Sequence, residues 1–408
     1  MSFPWRTAVR RALKSLLALV LAVLIATGGY VGYAAIQRGQ SITLPAPTGP
    51  YRVGRAMVDW TDHSRTDPYA PRPGTARELA VWLWYPAASG RGGAPYAPGA
   101  WGQLHFGAPE SVGESSFDAI RTHSTDNAPV AAGRFPVVVL EPGLGFSAPT
   151  YTTLAENVAS HGFVVAGVTP TYTANLTVLR GQPVHASAAG NPSTLDTDNL
   201  HDPAATAFAE GLLQVSAADA HFVVAQVDGL DRAGLFAGHV DPGRTAYVGH
   251  SFGGATALEA CRTDPRCAGA VDLDGTQYGP VVHKGLDRPM MLIASDNSCV
   301  TGTCRPANSN DTAGQAIAKS LLAASTGPVW CYQINGAQHY NFTDYGAYYL
   351  AWPLRQLLAL GSIDGDTALN ITDAYVAAFL DQTVHGRPQP LLTEQTRPYP
   401  EIVPQPRK

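Results

Sequence analysis

Short apolar runs alternate with helical segments from residue 135 onward, and this rhythm restricts the fold more than any other feature of the chain. It begins with the strand pattern FPVVVLEPGLG (135–145), the helical PTYTTLAENVASHG (149–162) and the strand pattern FVVAGVTP (163–170). A long amphipathic helix follows at 204–230, before the further apolar runs TAYVG, GAVDLDG, PMMLIASD and GPVWCYQING. Such alternation predicts an α/β domain with a mostly parallel central sheet and helices on both faces.

One serine lies between glycines where an apolar run gives way to helix-forming residues. In AYVGHSFGGATALEA (246–260), Gly249 and Gly253 flank Ser251 in a G-x-S-x-G pattern. The order strand, turn, helix is that of a nucleophile elbow, and a side chain at either glycine would collide across so tight a turn. A plain glycine-rich loop is the alternative, because the bare pattern also occurs by chance. The context favours an α/β-hydrolase fold with Ser251 as the nucleophile.

A histidine must follow the nucleophile in this fold, after an acidic residue. The histidines that follow Ser251 are His283, His339 and His385. His339 lies in QINGAQHYNFTDY, just after an apolar strand, where its ring can reach over the edge of the sheet. His283 comes early, and His385 follows a late helix. His339 is therefore the predicted general base.

Three aspartates are candidates for the acid that orients this histidine. Asp272 and Asp274 end the run GAVDLDG, and Asp296 ends the next run. Side chains alternate along a strand, so Asp272 and Asp274 are expected on the same face, with the one nearer the sheet edge better placed. Asp296 occupies the place that most hydrolases of this fold use. The residues alone leave the choice open.

The turn GLGFSA (143–148) follows the first strand of the series. It satisfies G-x-G-x-x-A, a pattern found in dinucleotide-binding turns, but the next strand ends without the acidic residue that holds the ribose. An oxyanion hole is the better use, because this fold takes one backbone N–H from such a loop and one from the residue after the nucleophile. The expected donors are Leu144 and Phe252.

The N-terminal region is a targeting or anchoring element. A basic flank (1–14) precedes an uncharged apolar segment (15–37) of membrane-spanning length, and a proline-rich linker (38–50) leads to the catalytic domain (51–390) and a C-terminal tail (391–408). The choice between an uncleaved anchor and a signal peptide stays open, with a slight preference for the anchor. In both cases the domain is exported, either membrane-anchored or secreted.

Charge and cysteine content narrow the function classes. A net charge of −5 argues against a nucleic-acid partner. Cys261 with Cys267, and Cys299 with Cys304, are close enough in sequence for two short-loop disulfides in an oxidising compartment, which leaves Cys331 over. No paired C-x-x-C and no H-E-x-x-H occurs, so we expect neither a metal nor another cofactor.

Taken in order, several segments resemble the platelet-activating factor acetylhydrolase family of secreted, metal-independent phospholipid esterases. They are TGPYRVG, EPGLGFSAPTYTTLAENVASHGFVVAGVTP, GHSFGGAT, VDLDG and QHYNFTDY. The resemblance runs from about residue 49 to about residue 346. It implies Ser251 as nucleophile, Asp274 as acid, His339 as base, and the backbone of Leu144 and Phe252 as the oxyanion hole.

The chain also departs from that family. Pro142 stands where the family commonly has a histidine, and the anchor, the cysteines and the tail lie outside the pattern. The resemblance implies hydrolysis of a short-chain or oxidised phospholipid, or of another small acyl ester. The long polar insertion between residues 171 and 203 is a candidate wall or lid over the site.

Two alternatives to a phospholipid esterase remain. The architecture also resembles lipases and polyester hydrolases, in which Asp296 would replace Asp274 as the acid. A non-catalytic surface protein that keeps the fold is the second alternative, because function depends on the site and not on the fold. For the enzyme, a neutral imidazole is required, so we expect activity to rise through about pH 6 to 8.

Overall fold

A computed structural model describes residues 4–105, 113–196, 199–393 and 397–406, with side chains from residue 8 onward. The strands are β1 (Ile42–Thr43), β2 (Arg52–Thr66), β3 (Ala76–Ala87), β4 (Ile120–Arg121), β5 (Ser124–Asp126), β6 (Phe135–Glu141), β7 (Val164–Pro170), β8 (Leu176–Leu179), β9 (Gln182–His185), β10 (Val240–His250), β11 (Cys267–Leu273), β12 (Met290–Ala294), β13 (Val329–Ile334) and β14 (Ile402–Pro404). The α-helices are α1 (Pro4–Arg38), α2 (Thr152–Ser160), α3 (Pro203–Leu230), α4 (Phe252–Thr263), α5 (Val281–Lys284), α6 (Ser309–Ala324), α7 (Leu354–Leu357) and α8 (Gly365–Thr383).

The described residues form a central sheet of ten strands in the order β14-β13-β12-β11-β10-β6-β7-β3-β2-β5. The six strands from β13 to β7 run parallel to their neighbours, whereas β3 and β2 continue the sheet antiparallel. The predicted α/β architecture with a mostly parallel sheet is therefore confirmed. In such a sheet, ligands bind at the carboxyl ends of the strands.

Both faces of the sheet are buried, which explains why its central strands are continuous apolar runs. Along β6, Val138 and Leu140 belong to the core under α2 and α8. The alternate residues Val137 and Val139 belong to the opposite core, under α3 and α4. The alternation of side chains along one strand thus ties two helical layers to a single sheet.

Helix α1 begins earlier than the predicted segment 15–37 and is exposed along most of its length. Among the described residues it is the one helix long and apolar enough to cross a membrane. Its C-terminal end touches the domain, because Ala34 is buried and Arg38 donates to the carbonyl of Glu114. The helix fits a signal sequence or a membrane anchor.

The segments that were expected to flank the domain are packed onto it. Within the predicted linker 38–50, β1 pairs with β4, and Leu44 is buried. Within the predicted tail 391–408, β14 pairs antiparallel with β13 and becomes the edge strand of the main sheet. These short strands find their hydrogen-bond partners only in the tertiary fold.

Two disulfides join described residues, Cys261 to Cys267 and Cys299 to Cys304, as expected from their spacing. Their Cα atoms lie 5.2 and 4.8 Å apart. Cys331 takes part in neither and is buried on β13. The two disulfides fit an exported protein.

Candidate active site

Ser251 lies in the sharp turn between β10 and α4. Its backbone has φ 57° and ψ −128°, a conformation that is strained for a residue with a side chain. A Cβ at Gly249 would meet the backbone of Gly253, and a Cβ at Gly253 would meet the carbonyl oxygen of Glu141. Glycine at both positions is therefore a steric requirement of this turn, which has the geometry of a nucleophile elbow.

The turn carries the serine hydroxyl to a histidine and an aspartate from distant parts of the chain. Ser251 Oγ lies 2.9 Å from His339 Nε2. Asp274 Oδ2 lies 2.8 Å from His339 Nδ1 on the other side of the ring. With Asp274 as the acceptor for Nδ1–H, the remaining lone pair of the neutral ring lies on Nε2 and faces the serine. This arrangement can remove a proton from Ser251.

Asp274 is held in place from two sides. The N–H of Ser295 donates to Oδ1 at 2.8 Å, while Oδ2 faces His339. Burial by itself raises the pKa of Asp274, but the hydrogen bond and the charge interaction with His339, together with the bond from Ser295, bring the pKa below its ordinary value. The carboxylate is therefore ionised at neutral pH, although its side chain is only 4% exposed.

The other two candidate acids do not reach His339. Asp272 is buried and accepts hydrogen bonds from the N–H of Gly275 at 2.8 Å and from Gln277 Nε2 at 3.0 Å. Burial raises its pKa to about 8. Strand β11 ends before Asp274, and the φ of 60° at Asp274 turns the backbone. The alternation of side chains along a strand therefore does not place Asp272 and Asp274 on the same face, as had been expected. Asp296 is exposed and accepts from the N–H of Gly336 at 3.2 Å.

The other two candidate histidines, His283 and His385, lie away from the nucleophile. His283 Nδ1 contacts Ser320 Oγ at 3.2 Å, in the region of α5 and α6. The ring of His385 packs against Phe163, with centroids 4.4 Å apart. Neither contacts Ser251 in the described structure.

The expected oxyanion-hole residues, Leu144 and Phe252, line the same cavity as Ser251 and His339. The loop that carries Leu144 passes close to the nucleophile, because a Cβ on Gly143 would lie 3.1 Å from the Cβ of Ser251. Phe252 is the first residue of α4, where backbone N–H groups have no acceptor within the helix. Both residues therefore lie beside the nucleophile at the cavity wall.

The cavity has a volume of about 670 Å³. Five phenylalanine and tyrosine side chains line it, from Phe146, Phe208, Phe252, Tyr278 and Tyr340. Asn191, from the insertion between residues 171 and 203, also reaches its wall. Polar groups contribute about as much of the lining as apolar ones, so the cavity suits an ester that has both an apolar and a polar part.

Two further residues of the site were not expected from the sequence, Tyr151 and His250. Tyr151 OH lies 2.9 Å from His250 Nδ1 and accepts the N–H of Gly143 at 3.0 Å. His250 Nε2 lies 2.9 Å from the carbonyl oxygen of His339. The sequence signal was the position of His250 directly before the serine, but nothing in the sequence pairs it with Tyr151.

No group of three or more His, Cys, Asp or Glu side chains arranged to hold a metal ion occurs among the described residues. The polar groups around Ser251 are instead engaged with one another.

Comparison with known proteins places the chain in a family. The model of platelet-activating factor acetylhydrolase, isoform II, matches residues 36–201 and 211–387. The chain belongs to this family. A platelet-activating factor acetylhydrolase of Cavia porcellus is 25% identical over 377 residues, which cover 83% of this chain and 78% of the relative. A probable 1-alkyl-2-acetylglycerophosphocholine esterase of Arthroderma benhamiae is 24% identical over 396 residues, 89% of this chain and 94% of the relative.

Among solved structures, a ferulic acid esterase from Streptomyces cinnamoneus superposes with a TM-score of 0.73 and 29% sequence identity. The match covers 90% of this chain and 100% of that esterase. Family, relatives and structural match agree on the reaction class. The protein is a carboxylic ester hydrolase.

Proposed function

We propose that the protein hydrolyses short-chain or oxidised acyl esters of phospholipids, or similar small esters, through an acyl-enzyme on Ser251. The observation that carries this proposal is the hydrogen-bonded series Ser251–His339–Asp274, with both distances below 3 Å. The 24–25% identity to the acetylhydrolase and esterase relatives supports the phospholipid class.

In the proposed mechanism His339 takes the proton of Ser251 as its Oγ attacks the ester carbonyl. The ionised Asp274 holds the ring in the required tautomer and stabilises the imidazolium that forms. The N–H groups of Leu144 and Phe252 donate to the oxyanion. The alcohol then leaves with the proton from His339, and water repeats the sequence on the acyl-enzyme. Because the ring must be neutral, activity should rise through about pH 6 to 8.

A second candidate acyl group is an aromatic one. The match to the ferulic acid esterase has higher identity than either family relative, and five phenylalanine and tyrosine rings line the cavity. Such rings pack well against a planar acyl group. The lipase or polyester-hydrolase alternative loses its main support, since it required Asp296 as the acid and Asp296 bonds Gly336 instead.

The test compares the wild-type domain with Ser251→Ala on p-nitrophenyl acetate, a 1-alkyl-2-acetylglycerophosphocholine, longer-chain phospholipids and methyl ferulate. Ser89→Ala, at an exposed serine beyond β3, is the matched control. We expect the wild type and Ser89→Ala to hydrolyse the acetyl esters, and we expect Ser251→Ala to have lost this activity. Faster turnover of methyl ferulate than of the acetyl phospholipid would favour the aromatic acyl group. Equal rates for wild type and Ser251→Ala would reject the proposed nucleophile.

We further propose that α1 remains in place as an anchor and holds the catalytic domain at the outer surface of the membrane. The basic residues Arg10, Arg11 and Lys14 precede its apolar stretch, which fits an N-terminus on the cytoplasmic side. We expect mass spectrometry to find the chain with α1 still attached in the membrane fraction of expressing cells. A shortened chain in the medium would instead identify α1 as a signal peptide.

A further inference from the structure

A buried chain of hydrogen bonds crosses the site underneath the nucleophile. It runs from the N–H of Gly143 to Tyr151 OH at 3.0 Å, from Tyr151 OH to His250 Nδ1 at 2.9 Å, and from His250 Nε2 to the carbonyl oxygen of His339 at 2.9 Å. The side chains of Tyr151 and His250 are almost completely shielded from solvent. At one end, the N–H of Gly143 directly precedes the proposed oxyanion-hole residue Leu144. At the other end, the carbonyl oxygen belongs to the proposed base His339.

The direction of every proton in this chain follows from its two ends. The carbonyl of His339 can only accept, so His250 Nε2 carries a hydrogen and donates it. A neutral imidazole has one N–H, so Nδ1 of His250 is an acceptor and takes the hydroxyl proton of Tyr151. The oxygen of Tyr151 then accepts the N–H of Gly143. Each polar group therefore has a partner, with no donor facing another donor.

Burial keeps both side chains in the required states. Burial, and after it the charge of the nearby His339, lower the pKa of His250 to about 3, so the ring is neutral at neutral pH. Burial also raises the pKa of Tyr151 well above its ordinary value, which keeps the hydroxyl proton available. A buried network in which every member is satisfied rigidifies the groups that it joins.

We propose that Tyr151 and His250 are positioning residues that fix the oxyanion-hole loop and the histidine loop relative to the nucleophile. The loop of Leu144 starts at Gly143, the histidine loop contains His339, and His250 precedes Ser251 in the elbow. The buried series of hydrogen bonds from Gly143 to His339, called the relay below, therefore joins three segments that are distant in sequence. This inference rests on the proposed function, because it acts through the proposed oxyanion hole and base.

Tyr151→Phe removes only the hydroxyl and keeps the ring. It leaves the N–H of Gly143 and Nδ1 of His250 without their hydrogen-bond partner. The oxyanion-hole loop and the histidine loop are then no longer joined through Tyr151. Since a displacement of about 1 Å can cost about 100-fold in rate, we expect kcat to fall about 10- to 100-fold. KM for p-nitrophenyl acetate should stay within about two-fold, because every side chain that lines the cavity is kept and the weakened contacts act mainly in the transition state.

Tyr247→Phe is the matched control. Tyr247 is also fully buried, lies on β10 like His250, and donates to Asp264 Oδ2 at 2.7 Å away from Ser251. We expect it to lower the thermal midpoint without changing kcat. If Tyr151→Phe likewise lowers only the midpoint, or leaves kcat at the wild-type value, the hydroxyl has a structural role alone and the proposal is wrong.

A double-mutant cycle tests whether the two residues act as one device. His250→Phe should lower kcat at least as much as Tyr151→Phe, and the double variant should be no slower than His250→Phe, because breaking the relay twice has no further effect. If the double variant instead loses kcat by the product of the two single losses, the two residues act independently and the relay is contradicted. Ser251→Ala in the same assay separates this proposal from the proposed function. Activity remaining in Ser251→Ala would refute the nucleophile, whereas wild-type kcat in Tyr151→Phe would refute only the relay.

Discussion

Replacing Asp274 by asparagine keeps the size of the side chain but changes one acceptor oxygen into an NH2 donor. In the native site, Oδ1 accepts the N–H of Ser295 and Oδ2 accepts from His339 Nδ1, both at 2.8 Å. Asparagine has one oxygen for these two donors. The N–H of Ser295 cannot lose its hydrogen, whereas His339 can change tautomer, so the amide oxygen should face Ser295 and the NH2 should face His339.

The change of tautomer at His339 determines how far kcat should fall. Nδ1 must then accept, so the ring hydrogen moves to Nε2, the atom 2.9 Å from Ser251 Oγ. A ring protonated at Nε2 cannot take the serine proton. A wrong tautomer of this kind lowers kcat by about 10⁴ in serine proteases, and we expect a similar loss for Asp274→Asn. Such a loss corresponds to about 5.4 kcal/mol of transition-state stabilisation.

Asp296→Asn is the matched control, since this exposed carboxylate contacts the N–H of Gly336 and not His339. Its kcat on p-nitrophenyl acetate should stay within about two-fold of wild type, and circular dichroism should show that both variants are folded. A loss smaller than ten-fold for Asp274→Asn, or a larger loss for Asp296→Asn than for Asp274→Asn, would refute the assignment of the acid.

Other predictions concern the disulfides and a buried carboxyl group. Replacing Cys261 and Cys267 by serine should lower the free energy of unfolding by about 2.4 kcal/mol, from the closure of a short loop, and leave kcat unchanged. Replacing Cys299 and Cys304 by serine should cost a similar amount in chemical denaturation and also lower kcat several-fold, because that disulfide closes the loop after β12 that supports the proposed acid. Equal kcat values for the two pairs would contradict this difference. Asp373 is buried without a hydrogen bond to Oδ1, and its pKa lies well above the ordinary value because of burial and then the nearby acids Asp344 and Glu156. The folded state therefore holds a proton that the unfolded state releases, and stability falls as the pH rises above about 4. Asp373→Asn should gain stability relative to wild type as the pH rises, by up to about 1.4 kcal/mol per pH unit. A gain that is independent of pH in thermal melts from pH 5 to 8 would refute the shifted pKa.

The parts of the fold that the sequence predicted well are those set by local sterics and periodicity. The apolar runs at 135–145 and 163–170 became β6 and β7, and the glycines around Ser251 formed the expected tight turn. Short cysteine spacings predicted both disulfides, since chain length alone keeps those pairs close. Short strands with weak patterns, such as β1 and β14, were missed because their only partners are distant strands.

The sequence by itself determined the order of elements, the turn that presents Ser251 and a short set of possible acids and bases, because each depends on a few adjacent residues. Only the tertiary structure decided that Asp274 and not Asp296 contacts His339, and that Tyr151 and His250 join two loops under the nucleophile. These contacts link residues 65 and 99 positions apart. Their distances depend on how neighbouring strands end at one edge of the sheet, which no local pattern of residues encodes.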